Sequence, residues 1–105
     1  MAQQMNDEQA VAAFHAMWDE FPGLARLIDS HHRVMAANAI AEGKGFVSGA
    51  VCARVGDPAI HRECKLAAMF STGEAQTDDV LGDRIRGWMP VKGRDDLCVH
   101  FALML

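Results

Sequence analysis

The sequence predicts an α+β fold: a five-stranded antiparallel sheet with helices on one face and an amphipathic helix ahead of it. Three observations carry that expectation. Apolar residues recur three and four apart near the start (Val11, Phe14, Met17, Trp18, Phe21), the repeat of a single helical stripe. Two short runs, Ala25 to Asp29 and Arg33 to Ala37, flank the polar turn Ser30-His31-His32. The last third divides into three strand-like runs, Glu74 to Leu81, Arg84 to Val91 and Leu97 to Leu105, parted by Gly82-Asp83 and by Lys92-Gly93-Arg94-Asp95.

Taken in order, residues 1–5 read as a disordered start. Asn6, followed three residues later by Gln9, is a variant of the capping box, and Asp7 and Glu8 suit the positive end of a helix dipole. The helix is expected over 7–20, where Pro22-Gly23 stops it. Residues 1–20 thus form an N-terminal unit and residues 21–105 the sheet domain. In the hairpin at 25–37, Asp29 can hold the turn by accepting backbone amides two residues on. Asn38 then caps a short helix over 38–42. The glycine-rich stretch 43–57 reads as loops with a helical turn or two around Phe46 to Ala50. A longer helix is expected from Asp57, with Pro58 at its first position, to Thr72, with Gly73 beyond its end. It would place Cys64, Ala67, Ala68 and Ser71 on one face of small residues.

The run 84–91 alternates Ile85, Gly87, Met89 and Val91 against Arg84, Arg86, Trp88 and Pro90. The final run is apolar on both faces, which marks a strand covered on both sides. The first helix is the expected cover for the face carrying Cys98, His100, Ala102 and Met104.

The 105 residues suit one domain, and half of them are hydrophobic, enough for a small core. A net charge of −4 argues against a nucleic-acid surface, which needs a basic stripe to displace counterions. No window holds the roughly 20 apolar residues of a membrane span, and no secretory leader opens the chain. Three cysteines without a CxxC pair point to a reducing, cytoplasmic setting. Seven methionines and no tyrosine suit a pliable pocket, and equally any irregular core.

Leu27, Ile28, Asp29, Val34, Asn38 and Ala41 together resemble the opening of a PAS domain, whose first hairpin commonly reads hydrophobic-Ile-Asp, hydrophobic, then Asn-x-Ala. The run Trp88-Met89-Pro90-Val91 is similar to the Trp-x-Pro-hydrophobic stretch of the fourth PAS strand; packing on an edge strand, where proline removes one ladder bond, explains it as well. The resemblance covers about residues 20–105. It implies a PAS-like five-stranded sheet whose pocket is walled by the long helix. It also implies a sensory or regulatory module of a bacterial signalling protein, such as a sensor histidine kinase of a two-component system, not an enzyme. The chain ends inside an apolar strand at Leu105, consistent with a module attached to an output domain in a longer protein. Gly49 to Cys52 and Cys64 to Gly73 are similar to a cysteine-bearing stretch of some sensor-kinase PAS domains, but Lys65 stands where that stretch has proline.

The expected ligand pocket is lined by Ile40, Val51, Cys64, Ala68 and Phe101 and takes a small molecule. A dimerisation block with a filled core and no ligand is the other reading. The stripe of Phe14, Met17, Trp18 and Phe21 is the expected homodimer interface, because aromatic residues and Met are enriched at interface cores. The bland alternative packs the stripe on its own sheet. His61 with Cys64, and Cys98 with His100, are the residue types of a zinc site, but no pair has the usual spacing and no metal is expected. A Cys52–Cys64 disulfide stays open. Haem in such domains is held by a histidine of the long helix; His61 sits only in its first turn. The Asn-Cys-Arg-Phe stretch of flavin-binding relatives is missing, since Ala53-Arg54-Val55 follows Cys52. No cofactor is expected. Asp78-Asp79 and Asp95-Asp96 are read as solvated pairs, and no catalytic constellation is present.

Overall fold

The computed structural model describes residues 5–105; the expected disordered start, apart from Met5, lies outside them. The helix α1 (Asp7–Trp18) is followed by β1 (Leu24–Asp29), β2 (Val34–Ala37), α2 (Ala39–Gly43), two 3-10 turns (Cys52–Arg54 and Pro58–His61), α3 (Leu66–Thr72), β3 (Gln76–Asp78), β4 (Arg84–Val91) and β5 (Arg94–Met104). The strands form one antiparallel sheet in the order β2-β1-β5-β4-β3. Strand β4 has the bounds the sequence predicts. Strand β5 begins three residues earlier than expected, because Lys92-Gly93 alone makes the turn, with Gly93 at φ +92°.

Local signals set the first half. The Asn6 side chain accepts from the Gln9 amide at 2.8 Å, and the Gln9 Oε1 in turn accepts from the Asn6 amide at 3.0 Å. Asp29 Oδ1 accepts from the amides of His31 (2.8 Å) and Arg33 (2.9 Å), closing the hairpin. Asn38 does more than cap α2. Its Oδ1 accepts from the Ala41 amide (3.0 Å) and the Ala25 amide (3.2 Å), and its Nδ2 donates to the Gly23 carbonyl (2.8 Å) and the Phe21 carbonyl (3.3 Å). One buried amide therefore ties the segment after α1 to β1 and α2. Gly23 fits there only without a side chain: a Cβ would lie 2.4 Å from the Ala102 carbonyl.

Helix α1 covers the opposite sheet face from the one expected. Phe14 packs with Ala25, Leu27, Leu97 and Val99, and Trp18 stacks on Phe101 with ring centroids 6.0 Å apart. The Phe101 ring fills the space over Gly87, where a Cβ would come within 2.1 Å of it. The reason is charge. The face holding Ala102, His100 and Cys98 also carries Arg26 and Arg86, and an apolar stripe would leave their polar groups unpartnered. The second face is covered by α2, the 3-10 turns and α3.

The expected helix over 57–72 is broken. Asp57 caps only a 3-10 turn, and Glu63 takes a left-handed φ of +56° before α3 begins. Arg86 Nη1 donates to the Ile60 carbonyl at 3.2 Å, the acceptor that a continuous α-helix would offer to the Cys64 amide. Nor is the stretch from Phe46 to Ala50 helical; the turn forms later, at Cys52–Arg54.

Two stability outcomes follow from this packing. Asn38→Ala strands the Ala25 amide and the Gly23 carbonyl in the interior, and urea denaturation should show a loss of about 2–4 kcal/mol. Gly87→Ala drives a methyl into the Phe101 ring and should destabilise by about 1–3 kcal/mol, with Trp18 fluorescence shifted as its stack is displaced. A loss under about 0.5 kcal/mol in either variant would contradict the packing described.

Candidate functional site

Strand register assembles the site. Residues directly opposite one another point to the same sheet face. Arg26 on β1 pairs with His100 on β5, and His100 pairs with Trp88 on β4. The next row holds Leu24, Ala102, Arg86 and Asp78. A central sheet face thus carries two guanidinium groups, an imidazole and an indole, all buried.

The two arginines differ in their partners. Arg86 makes a fork to Asp78 at 2.9 and 3.0 Å, and Lys65 adds a third bond to the same carboxylate at 2.8 Å. Burial works against the Asp78 charge, but bonds from Arg86 and Lys65 outweigh it and hold the carboxyl below its usual range. Arg26, only 3 % exposed, has no such partner. Among the described residues no carboxylate lies within ion-pair distance of it. Its Nη1 donates to Cys52 Sγ at 3.7 Å, its guanidinium lies 4.3 Å over the Phe46 ring, and its Nε has no hydrogen-bond partner. Burial lowers the Arg26 pKa, the thiols of Cys52, Cys64 and Cys98 oppose this weakly, and the group remains a cation. The indole Nε1 of Trp88 is likewise buried without a partner.

His100 stacks on Trp88 with centroids 4.7 Å apart. Its Nδ1 lies 2.8 Å from the Gly87 carbonyl, which can only accept, so Nδ1 carries the proton. Burial, reinforced by Arg26, pushes its pKa well below 6.5 and keeps the ring neutral. Burial raises the Cys52 thiol pKa against the pull of Arg26, and raises that of Cys98 to about 12, so neither is an activated nucleophile.

The 52–66 segment roofs this face and leaves a narrow cavity of two adjoining lobes. The larger, about 70 Å³, is lined by Ile28, Cys52, His61, Cys64, Trp88 and His100. The smaller, about 20 Å³, is lined by Arg26, Phe46, Ile60 and Arg86, with His61 and His100 shared. Its outer side adjoins a surface cleft of about 210 Å³ that carries Lys44 and Arg84. No aspartate or glutamate lines any of the three spaces. A larger groove of about 310 Å³ lies between α3 and the β4–β5 hairpin, but its Arg94 is already paired with Asp96 and Asp7.

Of the residues expected to line the pocket, Cys64 reaches the larger lobe. Phe101 lies on the other sheet face, under α1. Ile40 is exposed, Val51 is half-buried beside the hairpin, and Ala68 is exposed because α3 turns Leu66 and Met69 inward instead. Of the helical stripe, Phe14 is buried, Trp18 and Phe21 are half-buried against Phe101, and Met17 is exposed. The stripe is used on the sheet through Phe101, not through His100, Ala102 and Met104 as that alternative had it. Cys52, Cys64 and Cys98 are all free thiols. Among the described residues no three His, Cys, Asp or Glu side chains are arranged to hold a metal ion, and no helix is long and apolar enough to cross a membrane. The residues that sequence reasoning missed are Arg26, Arg86 and Asp78. Arg26 shares its face with Leu24 and Ile28 in an apolar strand, the pattern of a buried cation. No protein-family model matches the chain, and no curated protein matches its sequence.

Two measurements test these electrostatics. Asp78→Asn leaves the buried Arg86 without its counter-charge and should lose about 3–5 kcal/mol on chemical denaturation. Lys65→Ala, which removes a more exposed partner, should lose under about 1 kcal/mol. For His100 the folded pKa is depressed, so below pH 6.5 the unfolded chain binds a proton that the folded chain does not. Stability should therefore fall as pH drops from about 6.5, by up to about 1.4 kcal/mol per pH unit. Below about pH 4 the protonation of Asp78 adds a second loss. A stability profile flat between pH 5 and 6.5 would contradict a neutral His100.

Proposed function

We propose that this chain is a regulatory module of PAS-like architecture that binds a small ligand between its sheet and the 52–66 segment. It would pass the resulting change to an attached output domain of a bacterial signalling protein. The reading rests on one observation above all: two donors, Arg26 Nε and Trp88 Nε1, are buried without partners beside a cavity. A buried donor without an acceptor costs about 1–3 kcal/mol, more when charged, and a bound ligand removes that cost. The strand order β2-β1-β5-β4-β3, together with the Asp29 turn and the Asn38 cap, supports the PAS-like assignment. A dimerisation block is the second reading, favoured by Met17, which is 78 % exposed on α1 beside exposed Ala13 and Ala16.

A thermal-shift screen of small polar molecules separates the two. A ligand present at about 100 times its Kd should stabilise by about 2.7 kcal/mol, a rise of roughly 10 °C in a domain of this size. It should also slow amide exchange between Cys52 and Leu66. A screen without hits, joined to a concentration-dependent dimer in light scattering that Met17→Glu abolishes, would favour the dimerisation block.

A further inference from the structure

We propose that the ligand is a small planar oxyanion, of the size of formate, acetate or nitrate, held by Arg26 with Trp88 as second donor. The inference rests on the ligand-binding reading above and names the ligand's class. Charge is the first ground. Arg26 is buried, cationic and without a carboxylate, whereas Arg86 on the next row has its own in Asp78. A planar fork of N–H donors matches two oxygens of one anion, which a thiol at 3.7 Å does not replace. Orphan donors are the second ground. Both unpartnered buried side-chain atoms in the described residues are N–H groups, and an oxyanion supplies only acceptors.

Size is the third ground. A cavity of about 150 Å³ holds benzene, with its six heavy atoms. Arg26 lines the smaller lobe and Trp88 the larger, so a ligand touching both spans the two, which together hold about 90 Å³ and scale to about three or four. The adjoining cleft presents Lys44 and Arg84, the latter already forked to Asp83 at 2.8 and 3.1 Å, and no acid lines the three spaces themselves. Lys44, which has no ion pair among the described residues, is the cleft's cation for an entering anion. For a ligand of four heavy atoms the affinity ceiling lies at a Kd of roughly tens of micromolar. Submillimolar to low-millimolar binding is expected.

The two tryptophans give the test an internal control, since Trp88 faces the cavity and Trp18 lies across the sheet on Phe101. The full chain labelled with ¹⁵N is titrated with sodium acetate, formate and nitrate at ionic strength held constant with chloride. The Trp88 indole N–H should shift saturably while that of Trp18 stays in place. Calorimetry should show Arg26→Lys binding at least tenfold more weakly, and Trp88→Phe severalfold more weakly should the first variant fail to fold. Equal affinity in a folded variant, or a shift of Trp18 alone, would overturn the proposal. Acetamide, the neutral isostere of acetate, separates the two levels. If acetamide shifts Trp88 and the anions do not, the ligand class is wrong and the pocket stands. If neither shifts it up to about 100 mM, the class is refuted and the ligand-binding reading loses its site.

Discussion

Two guanidinium groups on one buried sheet face are the constraint to which the rest of this small domain answers. A charged group removed from water must find opposite charge and hydrogen bonds nearby. Arg86 finds both across the edge of the sheet in Asp78, which is why a strand as short as β3 is retained. It also takes the Ile60 carbonyl, and Arg62 is extended and Glu63 left-handed where an α-helix would otherwise continue. The roof over the sheet is therefore irregular. An irregular roof over a polar face leaves room that a packed helix would fill.

The same constraint sorts the helices. Phe14, Trp18 and Phe21 need an apolar wall, and the face of Ala25, Leu27, Val99 and Phe101 provides one. The other face needs a carbonyl, an aromatic ring and an acid, which the segment from Phe46 to Asp78 brings in Ile60, Phe46 and Asp78. Asn38 joins the two layers, since its amide holds the exit from α1, strand β1 and the start of α2 at once. What remains unanswered is Arg26, and the functional proposal begins from that residue.

Much of the fold was legible because its causes are local. The three-and-four spacing, the caps at Asn6 and Asn38, the Asp29 turn and the alternation of β4 all act within a few residues. The break at Glu63 was not legible, since its cause is a side chain 26 positions from Ile60. Phe101 was assigned to the wrong side because β5 is apolar on both faces, and only the partners of each face tell them apart. The site was the least legible part. Cys64 borders the cavity although the helix that was to place it is broken there, and the residue that gives the cavity its character, Arg26, lies within an apolar strand and bears no motif. Its face-sharing with Leu24 and Ile28 was available in the sequence and points inward on the period of two.

Arg26 is a buried guanidinium with a thiol and an aromatic ring for partners and no carboxylate. The most direct measurement is the denaturation free energy of Arg26→Met beside the parent chain, in a chloride buffer free of oxyanions. Met keeps the apolar length of the side chain and removes the unpaired charge. The account predicts that the variant is more stable than the parent by about 1–3 kcal/mol, as when buried charges are replaced by apolar side chains of similar volume. A loss of about 2 kcal/mol or more would mean that Cys52 and Phe46 satisfy the guanidinium already, and that no ligand is needed to explain it.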